Sequence, residues 1–214
     1  ITLLSIIQGI SEFLPVSSSA HLYLVSEIYQ FRSQSLMTDV ALHLGSLIAI
    51  IFFFRNELIN IFENKNLLYL LVLGSVPLII VGLLIFSTGL INNLRNLEVV
   101  AWTTLIFAII LFIADKFRVR KKLNTNLNIK SILFIGLFQI LSIIPGVSRS
   151  GIVITAGRFL NFDRFDSTKI SFYLSIPAIA GASILTLKDL TYETINFNIV
   201  ILFAIIFAFI VSYL

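Results

Sequence analysis

The sequence predicts an all-α integral membrane protein, built as an inverted repeat with about six spanning helices and two helical hairpins that enter the bilayer and turn back. Three observations carry this reading. Of the 214 residues, 58% are hydrophobic and 12% charged, with a mean hydropathy of +1.02; soluble domains carry about 25% charged residues. Several apolar runs approach the roughly 20 residues that a bilayer-spanning helix needs. Two short stretches, "QGISEFLPVSSSAH" (8–21) and "PGVSRSG" (145–151), interrupt such runs with proline, serines and charges.

Apolar segments lie at 40–54, 67–91, 97–114, 131–144, 170–187 and 197–214, separated by polar breaks at 26–39, 55–66, 92–96, 115–130, 158–169 and 188–196. The break "DKFRVRKKLNTNLNIK" (115–130) carries Lys116, Arg118, Arg120, Lys121, Lys122 and Lys130. The positive-inside rule puts it in the cytoplasm. Alternation backwards from this anchor places 92–96 outside, 55–66 inside and 26–39 outside. Forwards, the basic break 158–169 (Arg158, Arg164, Lys169) stays inside only if 131–160 dips in and returns, with Pro145–Gly146 as its turn. Residues 1–26, broken at Pro15, are read as the matching hairpin from the other face.

A shift of 131 residues lays "IQGISEFLPVSSSA" (7–20) on "FQILSIIPGVSRSG" (138–151). Gln8 then meets Gln139, Ser11 meets Ser142, Ser17 meets Ser148, Ser19 meets Ser150 and Ala20 meets Gly151. The chain is thus read as one membrane domain of two halves, 1–114 and 131–214, joined by the basic loop. Inverted repeats of this kind place their site near the midplane, where the broken helices meet.

The residues at the breaks suit phosphate. Ser17 and Ser148 are expected N-caps of the helices that follow, and each helix start offers unpaired N–H groups at the positive end of a dipole. Arg149 adds a permanently charged fork, with Ser150 beside it. Two such ends facing one pocket make an anion cradle. Glu12 stands opposite, with Gln8 one turn earlier on the same face. A carboxylate beside phosphate calls for a cation between them, and hard oxygen ligands suit Mg²⁺ or Ca²⁺. His21 follows Ser18 by three residues, which pairs a hydroxyl with a candidate base. Against these readings stand plainer ones: the serines as caps alone, and Glu12 with Arg149 as a structural ion pair. His43, on an apolar run, is read as a helix-packing residue. Arg55, Glu57, Glu63 and Lys65 are read as a solvated loop face. Cysteine is absent, which excludes disulfides and thiolate metal sites. The basic balance, pI near 9.5, reads as loop asymmetry, not nucleic-acid binding.

"QGISEFLPVSSSAHL" and "PGVSRSG" together resemble the signature segments of the bacterial undecaprenyl-diphosphate phosphatases, the bacitracin-resistance membrane phosphatases, and the apolar pattern fits almost the whole chain. The resemblance implies removal of the terminal phosphate from a polyprenyl diphosphate lipid, in the bacterial cytoplasmic membrane. It implies recycling of the lipid carrier for peptidoglycan, bacitracin resistance and a divalent cation. It also implies roles for residues: Gln8 and Glu12 in metal binding and catalysis, Ser18 and His21 in catalysis, and Arg149 on phosphate between Ser148 and Ser150. Two positions depart from the pattern. Gln8 replaces an acid, and Val153 stands where a threonine is usual, with Thr155 roughly 200° further round the helix. Attack by Ser18 or by an activated water both remain open, and a homodimer is allowed. A rival of another class is a polyprenyl-phosphate flippase or other transporter, which needs the anion site but no nucleophile. The chain opens on Ile1 without a basic leader, so no cleavable signal peptide is read, and both ends are expected to continue.

Overall fold

The computed structural model describes residues 1–29, 36–88, 96–190 and 199–214. Its helices are α1 (Thr2–Ser11), α2 (Ser18–Tyr29), α3 (Leu36–Phe53), α4 (Arg55–Glu63), α5 (Lys65–Thr88), α6 (Leu97–Asp115), α7 (Leu123–Asn126), α8 (Ile129–Gln139), α9 (Arg149–Phe159), α10 (Arg164–Leu190) and α11 (Ile199–Tyr213), with a 3₁₀ turn at Ile140–Ile143. The polar ends of the apolar segments set these boundaries. Asn96 caps α6 by accepting from the Val99 N–H at 2.8 Å, and Asn128 caps α8 through Ser131 N–H at 3.0 Å. Such caps satisfy donors that a helix start leaves unpaired.

Among the described residues, α5, α6 and the α10 stretch Arg164–Leu185 are long and apolar enough to cross a membrane, and α3 with α4 form a fourth candidate bent by 70°. The apolar helices Thr2–Ser11, Ile129–Ile143 and Ile199–Tyr213 are shorter. Large side chains such as Phe53, Trp102, Phe112 and Leu202 stand exposed on the outside. In water they would form sticky patches; against hydrocarbon they face their own kind. This is an all-helical, multi-pass membrane protein.

The packing repeats itself. Helix α1 lies on α2 and α11, while α8 lies on α9 and α5; α3 packs on α11 as α10 packs on α5. Small residues let these helices approach closely, which matters in lipid, where packing rather than hydrophobicity drives association. A Cβ on Gly74 would lie 2.7 Å from Ile132, and one on Gly136 would run into the Gly74 carbonyl. The larger apolar cluster, including Leu70, Ile132, Ile135, Val153, Ile170 and Leu174, fills the space between α5, α8, α9 and α10.

Two polar breaks are more ordered than the sequence suggests. Segment 55–66 holds α4 and the start of α5, not a loop, and Glu57 accepts bonds from Lys169 Nζ at 2.9 Å and from the Tyr173 hydroxyl. The hydropathy dip there is the polar face of a short helix. In 158–169 only the turn between α9 and α10 is non-helical. Arg158 is no loop charge: it is buried, donating to Phe162 O (2.6 Å), Asp115 O (2.7 Å) and Phe117 O (2.7 Å), with Asp115 Oδ1 3.2 Å from Nε. It closes the carboxyl end of α6 onto that of α9. Helix α9 ends in a left-handed Asn161 (φ +70°), with Asn161 N–H bonding Arg158 O and Phe162 N–H bonding Gly157 O, a Schellman stop. Asn161 O then accepts from the N–H groups of Arg120 and Lys121, pinning the basic segment, and Lys122 pairs with Asp163 at 2.6 Å. The Asp166 N–H and the Lys122 ammonium hold the Asp163 carboxyl below its ordinary pKa. The clasp therefore contributes fully above the ordinary aspartate value and is lost as pH falls through the lowered one.

The close crossing of α5 and α8 is directly testable. Gly136→Val should lower the thermal midpoint in detergent micelles, since overpacking costs about 1–3 kcal/mol. Gly82→Ala, where an added Cβ meets nothing within 4 Å, should leave it unchanged or raise it.

Candidate active site

The two breaks meet. Helix α1 ends at Ser11, and Glu12 follows as its C-cap with helical dihedrals. After Pro15 the chain re-enters helix α2, where Ser17 Oγ accepts from Ala20 N–H at 3.4 Å and shares a 3.2 Å bond with Ser19 Oγ. At the second break, Ser148 Oγ accepts from Gly151 N–H at 3.1 Å and lies 3.1 Å from Ser150 Oγ. The same pair of bonds thus recurs at positions 131 residues apart. Between them, Ser150 Oγ donates to Leu14 O at 2.8 Å, tying one break to the other. Gly151 allows this approach: a Cβ there would lie 3.2 Å from Pro15 O.

The second break is held from the side as well. Gly146 has φ +91°, a conformation glycine adopts without penalty, and a Cβ on it would sit 2.7 Å from Val100 O on α6. The Thr103 hydroxyl donates to Pro145 O at 2.6 Å and the Thr104 hydroxyl to Gly146 O at 3.1 Å. Away from water, irregular backbone persists only where such partners exist.

At this junction sit four residues from three segments. Glu12 is buried, and its Oε1 accepts from Arg149 Nη2 at 2.6 Å. Its Oε2 accepts from Ser18 Oγ at 2.7 Å and from Gln8 Nε2 at 2.9 Å. The positions Gln8, Glu12, Ser18 and Arg149, singled out from sequence, are therefore in direct contact. A carboxylate at a helix carboxyl end opposes the dipole of α1. Here the guanidinium and the amino ends of α2 and α9 offset that. Gln8 is in turn held by Ser46 Oγ at 3.4 Å, which lies 3.0 Å from Ser212 Oγ, so α3 and α11 buttress the amide. Arg149 Nη1 is buried and, among the described residues, without a hydrogen-bond partner.

Histidine placement differs from the sequence expectation. The exposed His21 bonds Ser17 O through Nδ1 at 2.7 Å, and Ser18 gives its hydrogen bond to Glu12 instead. His43, read from sequence as a packing residue far from any polar cluster, places Nε2 3.8 Å from Glu12 Oε2. Its Nδ1 lies 2.8 Å from Asp39 O, which can only accept, so Nδ1 carries the hydrogen and Nε2 faces the carboxylate. The correction has a tertiary cause: α3 packs on α1, and no local pattern announces that. Ser17, Ser148 and Ser150 have their hydroxyls engaged in capping and bridging. Val153 is fully buried in the apolar cluster, and Thr155 Oγ1 donates back to Gly151 O at 2.7 Å. Among the described residues, Arg149 Nη1 is then the side-chain donor at these helix starts that has no partner.

Residues 1–214 match the family described as bacitracin resistance protein BacA. An undecaprenyl-diphosphatase of Pelagibacter ubique (strain HTCC1062) is 59% identical over 214 residues, covering 100% of this chain and 84% of that protein. One from Elusimicrobium minutum (strain Pei191) is 45% identical over 203 residues, covering 91% of this chain and 78% of its own. Another, from Alteromonas mediterranea, is 38% identical, covering 100% and 85%.

The bond between the breaks sets an expectation for stability. Ser150→Ala leaves Leu14 O without that donor and should cost about 1–3 kcal/mol, read as a lowered unfolding midpoint in micelles.

Proposed function

The chain belongs to the BacA bacitracin resistance family, and from that premise we propose that it hydrolyses undecaprenyl diphosphate to undecaprenyl phosphate and inorganic phosphate. The reaction recycles the carrier for peptidoglycan in the bacterial inner membrane. Because bacitracin sequesters the diphosphate form, this activity confers resistance. The observation that carries the chemistry is the contact of Ser18 with Glu12, set beside Arg149 at the amino ends of α2 and α9. A transporter needs an anion cradle but no hydroxyl paired to a carboxylate, so this contact favours hydrolysis over carriage.

Phosphoryl transfer depends chiefly on positioning and charge stabilisation. In this reading Arg149 and the two helix starts bind the terminal phosphoryl group. Ser18 Oγ attacks its phosphorus while Glu12 takes the hydroxyl proton; the bond to the bridging oxygen breaks, and undecaprenyl phosphate leaves with the electron pair. Water then displaces Oγ, its hydroxyl going to phosphorus and its proton to Oγ. Glu12 releases its proton with the products. The prenyl tail stays between helices, in lipid throughout.

The resemblance also implies a divalent cation on Glu12 and Gln8. The donor set as arranged does not fit a resident ion. Both Glu12 oxygens already accept from donors, and Gln8 turns its NH₂ rather than its carbonyl toward them.

Phosphate release from purified protein tests the site. Glu12→Gln, Ser18→Ala and Arg149→Gln should each lower turnover by about 10²-fold or more, the scale on which general-base and electrostatic groups act. Full activity in Glu12→Gln and Arg149→Gln would overturn the assignment. With substrate labelled on its terminal phosphate, acid quench during turnover should leave label on the protein through Ser18. Normal turnover without protein-bound label, in repeated rapid quenches, would transfer the attack to water.

A further inference from the structure

Lys116, Arg118, Arg120, Lys121 and Lys122 crowd into residues 116–122, where α6 gives way to non-helical chain. The acids nearby are already engaged. Asp115 pairs with Arg158 and Arg164, Asp163 pairs with Lys122, and Asp166 accepts from the Leu123 N–H at 2.9 Å. Lys116, Arg118, Arg120 and Lys121 therefore have no carboxylate partner among the described residues. In a free loop such like charges would spread apart. Here the fold holds them together: the N–H groups of Arg120 and Lys121 donate to Asn161 O at 3.0 and 3.1 Å, Lys121 bridges to Phe162, and Arg158 grips the carbonyls of Asp115 and Phe117.

The apolar neighbours indicate which anion lies opposite. Lys116 Nζ sits 4.3 Å over the ring of Phe112, which is exposed one turn back on α6. Phe117 and Val119, also exposed, alternate with the exposed Arg118 and Arg120. A nucleic acid or an acidic protein would leave these bare apolar side chains uncovered at the mouth of a spanning helix. The headgroup level of a bilayer suits both kinds of residue. Basic side chains lay their stems on apolar surface and place their charge among headgroups, and the guanidinium fork matches phosphate oxygens. Lys and Arg clusters just beyond a spanning helix attract the anionic lipids of the cytoplasmic leaflet, the side on which the positive-inside rule puts this segment. The proposed diphosphate site is elsewhere. Arg158, which touches the strip, stands nine residues after Arg149, about 14 Å along α9 at 1.5 Å per residue.

We propose that Lys116, Arg118, Arg120 and Lys121 form a docking strip for the headgroups of anionic phospholipids in the cytoplasmic leaflet, with Phe117 and Val119 resting at the glycerol level. The proposal is independent of the phosphatase reading. It makes the lipid around the mouth of α6 richer in negative charge than the bilayer at large, and it makes that enrichment sensitive to salt, which screens exposed charges.

The experiment is equilibrium gel filtration of the purified protein in neutral maltoside micelles that carry trace radiolabelled phosphatidylglycerol or, in parallel, phosphatidylcholine, with protein-free micelles subtracted. The wild type should retain phosphatidylglycerol over phosphatidylcholine by about fivefold or more, the scale that one basic residue contributes at an anionic surface. Salt at roughly 1 M, where the Debye length is about 3 Å, should remove the excess. Lys116→Gln, Arg118→Gln, Arg120→Gln and Lys121→Gln together should also remove it and leave the unfolding midpoint in place. Arg149→Gln should keep the excess. Equal retention of the two lipids by the wild type overturns the proposal, and binding of labelled single-stranded RNA in that case gives the strip to nucleic acid. An excess that survives the fourfold variant, or that disappears in Arg149→Gln, also overturns it, the latter by moving the lipid to the junction of the hairpins. If the fourfold variant misfolds, Arg118→Gln with Arg120→Gln decides: an undiminished excess there ends the proposal.

Discussion

A buried ion pair joins the two broken hairpins. Glu12 belongs to the first and Arg149 to the second, 137 residues later, and their contact brings the start of α9 against the end of α1. Taken alone, a buried ion pair is poor evidence for stability, because desolvation offsets most of the attraction. What it supplies is register. Neither charge tolerates hydrocarbon without the other, so the hairpins have one relative position in which both are satisfied. The bond from Ser150 to Leu14 O and the close fit at Gly151 lock that position from the backbone side.

Lipid explains the rest of the design. Each non-helical carbonyl or amide placed among helices needs a protein partner, and the breaks show where these come from. Serine hydroxyls cap the helices that follow, threonines on α6 serve Pro145 and Gly146, and the guanidinium of Arg158 serves three carbonyls at the other end of α9. Glycines at helix crossings bring backbones close enough for these short bonds to form. The proposed phosphate site is therefore a by-product of rules that any broken membrane helix obeys: a helix start in lipid already presents the donors that an anion seeks.

Much of this was legible in the chain. Apolar run lengths gave the class, and the proline and serines at each break located the helix starts to within a residue or two. The i, i+4 spacing put Gln8 on the same face as Glu12, and the motif pair gave the family. Local spacing misled where tertiary packing decides. Ser18 and His21 lie on one face, yet the hydroxyl turns to Glu12, a stronger acceptor across the break. His43 reaches the same carboxylate from α3, a contact that no local periodicity encodes. Arg158 looks from sequence like one more cytoplasmic charge, because nothing in a linear charge count separates a solvated arginine from one threaded through three carbonyls.

The threonine bonds from α6 to the second break have a consequence beyond anchoring. Helix α6 is exposed along much of its length, through Trp102, Ile109 and Phe112, and tilting is one way in which spanning helices accommodate a mismatch with the bilayer. Thr103 and Thr104 tie α6 to Pro145 and Gly146, four and three residues ahead of Arg149. A displacement of α6 is thus not absorbed by α6 alone, because the turn from which Arg149 departs is bonded to it.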